Sequence, residues 1–243
     1  MPIAIYIKEN TAKRIAETKR RERTFFTLLS FLGVLSIIFS AWPYLSWQIV
    51  TLPRLSGKID EIPVPQGQVL SSAQSLVSNV QVVSDPDGFS FFVPTNKEQD
   101  YISQETRPSE FFITVPKLNI EKAKVKVDAT NFYDHLALFP GSAIPGDVGN
   151  SFITGHSVLP QFNDPKNYRT IFTKLDDLEV GDDVYVQLQE KNLHFIVLYS
   201  KVVDPHDLSV ITPISQNGRN LTLMTCVPPG TSTKRLVVIT GLI

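Results

Sequence analysis

Cys226 is the residue with the most chemistry to offer, and it is the only cysteine in 243 residues. One cysteine excludes an internal disulfide framework, a cysteine zinc cluster and a CxxC redox pair. It closes an apolar run, LTLMTC, and Val227-Pro228-Pro229-Gly230 follows at once. The thiol therefore stands where a strand runs into a loop, within reach of a substrate. An inert buried thiol is the competing reading, because free cysteine is among the most buried residue types. Only the thiolate attacks, so a working cysteine needs a base or an ion-pair partner.

Four histidines are available. His194 lies among apolar neighbours in LHFIVLYS and reads as a packed strand residue, whereas His206 in Asp204-Pro205-His206-Asp207 reads as solvated loop. His135 follows Asp134 in a polar turn and fits either role. His156 ends the strand-like Phe152-Ile153-Thr154-Gly155-His156-Ser157, with a glycine before it that permits close backbone approach. Two strand ends at one rim of a barrel would bring thiol and imidazole together. Acyl transfer also needs a donor for the developing oxyanion. Arg235 opens the last strand (RLVVITGLI), nine positions after Cys226, and the intervening loop can return its guanidinium to that rim. Lys234 is its rival, and since successive strand residues face opposite ways, only one of the two can point into the site. A solvated surface cation is the plainer account of Arg235.

These residues need a scaffold, and the pattern after Pro108 is one of strands. Residues 111–115, 124–127, 151–154, 183–188, 193–200, 221–226 and 235–242 are rich in β-branched and aromatic types and are separated by Gly, Pro, Asn and Asp clusters. That spacing predicts a compact barrel or sandwich. The one helical pattern is 168–178 (YRTIFTKLDDL), with Ile171, Phe172, Leu175 and Leu178 on one face and Gly181 to stop it.

The formal net charge of −1 argues against a nucleic-acid binder that relies on a basic surface. That charge is unevenly spread: residues 1–24 carry seven basic and three acidic side chains, and the remainder carries 16 and 21. No charged residue occurs between Arg23 and Arg54, and FFTLLSFLGVLSIIFSAW is almost continuously apolar. About 20 helical residues span a bilayer's hydrocarbon core. Trp42, Tyr44 and Trp47 fall at the far end, where an aromatic belt sits. The reading is a cytoplasmic basic tail (1–24), an uncleaved single-pass anchor (25–50), an extracytoplasmic stalk (51–107) and a catalytic domain (108–243). A cleaved signal peptide has a shorter apolar region, about 7–15 residues, and a small-residue cleavage site. Within the stalk, Phe89-Ser90-Phe91-Phe92-Val93 is too apolar to be left in water. A short strand docked on the outside of the domain is the simpler account, and a lid over a substrate groove the sharper one.

Thr222-Leu223-Met224-Thr225-Cys226 resembles the TLxTC motif of sortases, followed as in that family by a proline-containing loop and an Arg-led final strand. Phe139-Pro140-Gly141-Ser142-Ala143-Ile144-Pro145-Gly146-Asp147-Val148-Gly149-Asn150, then Ile153-Thr154-Gly155-His156-Ser157, is similar to the family's region leading to its Gly-His pair. Val115-Pro116-Lys117-Leu118-Asn119-Ile120 matches the opening strand, and Phe172, Leu175, Leu178 and Gly181-Asp182 match the short helix and turn. The likeness covers roughly residues 108–243. It implies a mainly β fold: an eight-stranded sortase-type β-barrel with a short helix, preceded by a transmembrane helix and stalk. It further implies a cysteine transpeptidase that cuts an LPxTG-like sorting signal through a thioester and hands the protein to an amine of the cell wall or of a pilin lysine. Carried over, Cys226 is the nucleophile, His156 the general acid and base, Arg235 the substrate and oxyanion ligand, and Thr225 a residue shaping the oxyanion pocket.

The segment 201–220 sits where sortases read the sorting motif, and Asp85-Pro86-Asp87-Gly88-Phe89 is faintly similar to the lid of pilin-polymerising members, although Asp-Pro is common in turns. No cofactor is required. Some sortases bind calcium through clustered carboxylates. Asp176, Asp177, Glu179, Asp182 and Asp183 are the candidates here, but EF-hand spacing is absent and an acidic solvated turn accounts for them. Two other classes compete: a cell-wall L,D-transpeptidase, whose SHGC-type motif is missing around Cys226, and a non-catalytic membrane-tethered binding barrel.

Overall fold

A computed structural model describes residues 4–56, 80–84, 90–94, 107–215 and 217–243. It divides into two compact units, 1–46 and 47–243. The first is a single helix, α1 (Ala4–Ser46). Its stretch Lys19–Trp42 is the one helix among the described residues long and apolar enough to cross a membrane. Phe31, Ile37 and Phe39 along it are exposed, as lipid-facing side chains are.

The second unit opens with a π-helical turn (Trp47–Thr51) and α2 (Leu52–Ser56). Two strands follow, β1 (Val80–Ser84) and β2 (Ser90–Pro94), paired antiparallel. Eight more form the domain: β3 (Glu110–Val115), β4 (Ile120–Lys126), β5 (Leu136–Leu138), β6 (Gly149–Thr154), β7 (Asp183–Leu188), β8 (Lys191–Val203), β9 (Arg219–Val227) and β10 (Lys234–Leu242). They close a barrel in the order β10-β8-β7-β3-β4-β5-β6-β9. The pairs β4–β5 and β6–β9 are parallel and the others antiparallel. All seven strands expected from the sequence are present. The eighth, β5, is three residues long, too short to register as a pattern.

Strand alternation separates two apolar faces. Leu221, Leu223 and Val227 of β9, with Leu236 and Val238 of β10, join the interior cluster that also holds Ile153, Phe172 and Phe195. The alternate residues Met224, Val237 and Ile239, with Phe152 of β6, form a separate cluster on the opposite, outer face. The helical pattern at 168–178 appears as successive turns closed by i to i+3 hydrogen bonds (Thr173 to Thr170, Leu175 to Phe172, Leu178 to Leu175) that end in a 3-10 helix, Leu175–Asp177. Ile171, Phe172, Leu175 and Leu178 are all buried, so the face read from the sequence is the one that packs.

Two pieces of the segment expected to be a stalk are packed against the barrel. Leu55 of α2 is buried in the interior cluster, as is Trp47. Phe92 of β2 is buried in the outer cluster, against Phe139 and Phe152. Apolar side chains this large find a surface to cover. The Asp85-Pro86-Asp87-Gly88-Phe89 motif lies outside the described residues.

Candidate active site

Cys226 is the penultimate residue of β9 and Arg235 the second of β10, and the register pairs them directly. Directly opposed residues in an antiparallel ladder share a face, so thiol and guanidinium lie together on the outer face, in line with Met224 and Val237. Alternation therefore settles the rivalry with Lys234, which is exposed and reaches Asp204 at 3.4 Å. Arg235 is 1% exposed, and its Nη1 donates to the carbonyls of Ser232 and Lys234, both at 2.9 Å. Burial draws its pKa below the ordinary guanidinium value, while the charges of Cys226 and Asp204 oppose that shift. A guanidinium remains protonated under such a shift.

His156 arrives on the neighbouring parallel strand. The β6–β9 ladder pairs Thr154 with Met224, and the Gly155 amide extends it by donating to the Met224 carbonyl at 3.1 Å. The glycine is required here: a Cβ on Gly155 would come within 2.5 Å of Phe172 and 2.6 Å of Leu136. Two further bonds lock the strand ends together: Ser157 Oγ donates to the Cys226 carbonyl at 2.7 Å, and Thr225 Oγ1 donates to the Gly155 carbonyl at 2.9 Å. Thr225 thus faces away from the thiol and holds the backbone that carries His156. The His156 ring, mostly buried, packs on Phe132 (centroids 4.4 Å apart) and stacks on Tyr133 (5.2 Å, 27° between planes).

Cys226 and His156 open on one cleft of about 460 Å³, whose walls include Tyr133, Leu159, Phe162 and Arg169. A sequence model of the sortase domain matches residues 113–243, more than half of the chain and all of the barrel but the first residues of β3. The chain belongs to the sortase family. Sortase D of Bacillus subtilis is 25% identical over 146 residues, which are 58% of this chain and 68% of that protein. Among solved structures, sortase C-1 from Actinomyces oris superposes with a TM-score of 0.52 at 23% identity, covering 71% of this chain and 94% of that one. A lid mutant of sortase A from Corynebacterium diphtheriae is 28% identical, with a TM-score of 0.48 over 58% of this chain and 73% of its own.

The other histidines of this sortase lie elsewhere. His194 pairs with Asp183 at 2.7 Å and stacks on Tyr185, His206 is exposed beside Asp204, and His135 is buried with its Nδ1 on the Leu136 carbonyl. Of the segment 201–220, Val203, Leu208, Val210, Ile211 and Ile214 pack on the outer face. Its 3-10 helix Leu208–Ile211 is held by Asn150 Nδ2, which donates to the Val210 and Ile211 carbonyls, and Asn150 Oδ1 accepts from Thr222. In the acidic turn Lys117 Nζ sits 2.9 Å from Glu179 and 2.8 Å from Asp182, and no cluster of three metal-ligating side chains is found among the described residues.

Sequence reasoning missed Phe132, Tyr133, Ser157 and Arg169. Each is an ordinary residue in a loop, and only the closure of the barrel brings it to the thiol. The aromatic pair Phe132-Tyr133 just ahead of β5 was the one available signal, since two adjacent rings in a loop need a surface to cover.

Proposed function

We propose that this sortase is a membrane-anchored cysteine transpeptidase that cleaves an LPxTG-like sorting signal and transfers the released protein to an amine. The reading is carried by one observation: Cys226 and Arg235 are cross-strand partners on one face, with His156 at the end of the adjoining parallel strand. The Cys226 thiolate adds to the carbonyl carbon of the scissile peptide bond, and the oxyanion forms next to Arg235. The backbone carbonyls that hold that guanidinium fix it beforehand, so it does not reorganise as charge develops. Protonated His156 gives its proton to the departing amine, the C–N bond breaks, and a thioester to Cys226 remains. An incoming amine passes its proton to His156, the new C–N bond forms, and Cys226 leaves as thiolate. Phe132 and Tyr133 hold the imidazole in place for both transfers.

The basic residues before the apolar helix support an N-terminus in the cytoplasm and a barrel outside. Donor proteins carrying a C-terminal sorting signal and an acceptor amine from wall precursor or pilin lysine are the partners this assigns, with no metal in any step. Cys226→Ala tests it against the binding-barrel alternative. The variant keeps the parent's thermal transition and loses both cleavage of LPxTG-like peptides and the acyl-enzyme mass adduct. Cleavage persisting in that variant would overturn the assignment. Intact binding with no cleavage by the parent protein would favour the non-catalytic barrel.

A further inference from the structure

The cleft beside His156 holds a cation that the reaction as described leaves idle. Arg169 is an exposed cleft residue with no ion pair among the described residues. Among the described residues no carboxylate lines the cleft, whose walls also include the apolar Leu159 and Phe162. An unmatched guanidinium beside an apolar wall attracts an anion more strongly than one in open water.

The position of Arg169 is defined. Its backbone amide donates to Asn167 Oδ1 at 3.0 Å, and Thr170 Oγ1 bridges the same turn by donating to the Asp164 carbonyl at 2.7 Å and accepting from the Asp164 amide at 3.0 Å. The guanidinium carbon lies 4.9 Å from the centre of the Tyr133 ring, and the same ring stacks with the His156 imidazole at 5.2 Å. A cation seated on a ring face keeps its N–H edge available for hydrogen bonding. These two steps set the outer limit on the guanidinium-to-imidazole distance. Hydrogen bonds of about 3 Å at either end leave a few ångströms between them. That is the span of an amine and a carboxylate borne on the same or adjacent carbons.

Which substrate carries the carboxylate follows from the side of the cleft. Arg235 and the β9–β10 loop flank the thiol and take the acyl group. Arg169 sits on the Tyr133 ring that stacks with His156, the group that exchanges a proton with the amine. We infer that Arg169 docks a carboxylate of the acceptor, so that this sortase resolves its thioester preferentially with amines bearing a carboxylate on or next to the amine-carrying carbon. The inference rests on the transpeptidase reading above. Bonding is as in the second half-reaction: the amine's C–N bond replaces C–S, its proton goes to His156, and the acceptor carboxylate is unchanged throughout.

The test uses full-length protein in detergent, acylated by a pool of LPxTG-like peptides and resolved by matched acceptors: glycine against glycinamide, and β-alanine against its amide. Within each pair the carbon frame is the same and the carboxylate charge is removed; the amine basicity changes with it, and comparison between protein variants cancels that change. The expected result is that the carboxylate-to-amide ratio of aminolysis rates falls about tenfold or more in Arg169→Gln, with part of it kept in Arg169→Lys. A ratio within twofold of the parent overturns the inference, as does an equal loss with both members of a pair, which would mark Arg169 as merely supporting Tyr133 and His156. Failure of the parent to form any acyl-enzyme on Cys226 overturns the transpeptidase reading itself, an outcome distinct from an acyl-enzyme that forms and ignores the acceptor's charge.

Discussion

Phe92→Ala is the most informative single change, because it separates the outer face from the barrel interior. Phe92 is 4% exposed, with ring centroids 5.8 Å from Phe152 and 6.3 Å from Phe139. Removing a phenylalanine side chain from such a site costs about 3–5 kcal/mol. The interior cluster contains none of these three rings, so the loss falls on the docking of the β1–β2 pair. Two strands of five residues have little stability alone, and β1 adds only the partly buried Val80 and Val82. At about 1.4 kcal/mol per tenfold, the docked-to-undocked ratio drops by about a hundredfold to a few thousandfold. Phe92 packs in one cluster with Met224, and Cys226 is the next residue along β9 on that face, about 7 Å further. Undocking uncovers the face beside a thiol that is 2% exposed and itself packs with Phe132 and Ala137. The assay is the second-order rate of Cys226 alkylation by iodoacetamide, unambiguous because the chain has one cysteine. The rate should rise at least tenfold in Phe92→Ala, with hydrogen exchange faster in β9 and β10 and the main thermal transition little changed. An unchanged alkylation rate together with a lowered transition temperature would falsify this separation, since it would make Phe92 an ordinary part of the fold.

Three further changes test the site and its supports. Arg235→Lys should lower peptide acylation about a hundredfold or more, because a single ammonium cannot hold the Ser232 and Lys234 carbonyls and still meet the oxyanion, whereas Lys234→Ala should stay within about threefold. Gly155→Ala should cost about 1–3 kcal/mol by overpacking against Phe172 and Leu136, read as a lower denaturant midpoint, and should lower acylation by displacing His156. Asp176 has its pKa raised to about 6, first by burial and then by the charge of Asp177. The folded protein thus holds a proton that the unfolded chain releases between about pH 4 and 6. This group's contribution to stability falls as pH rises through that window and stays low above it. Asp176→Asn should therefore stabilise the protein by about 1–2 kcal/mol at pH 7.5 and by almost nothing at pH 4, measured by denaturant unfolding at both.

Much of this sortase is legible in its residue order. Alternating β-branched segments mark seven of the barrel's strands because side-chain direction in a strand has period two, a local property. The charge-free run after Arg23 marks a helix able to cross a membrane for an equally local reason, its length. Cys226, His156 and Arg235 stand out because each sits where such a segment meets a loop. The period-two rule also requires that only one of Lys234 and Arg235 face the thiol. It does not say which.

Tertiary structure decided the rest, because the remaining contacts join residues far apart in the chain. Parallel pairing of β6 with β9 sets Gly155 beside Met224 and lets Thr225 bond across 70 positions. Nothing local marks that pairing, since parallel neighbours have no hairpin turn between them. In sequence Phe92 reads as part of a short strand docked on the outside of the domain, and Tyr133 and Arg169 carry no signal of their own. They become a cover for the outer face, a backing for the imidazole and an anion site only when barrel closure puts them beside β9. The sequence alone determined that a thiol, an imidazole and a guanidinium would lie at strand ends, and the closed barrel determined which faces they share and what surrounds them.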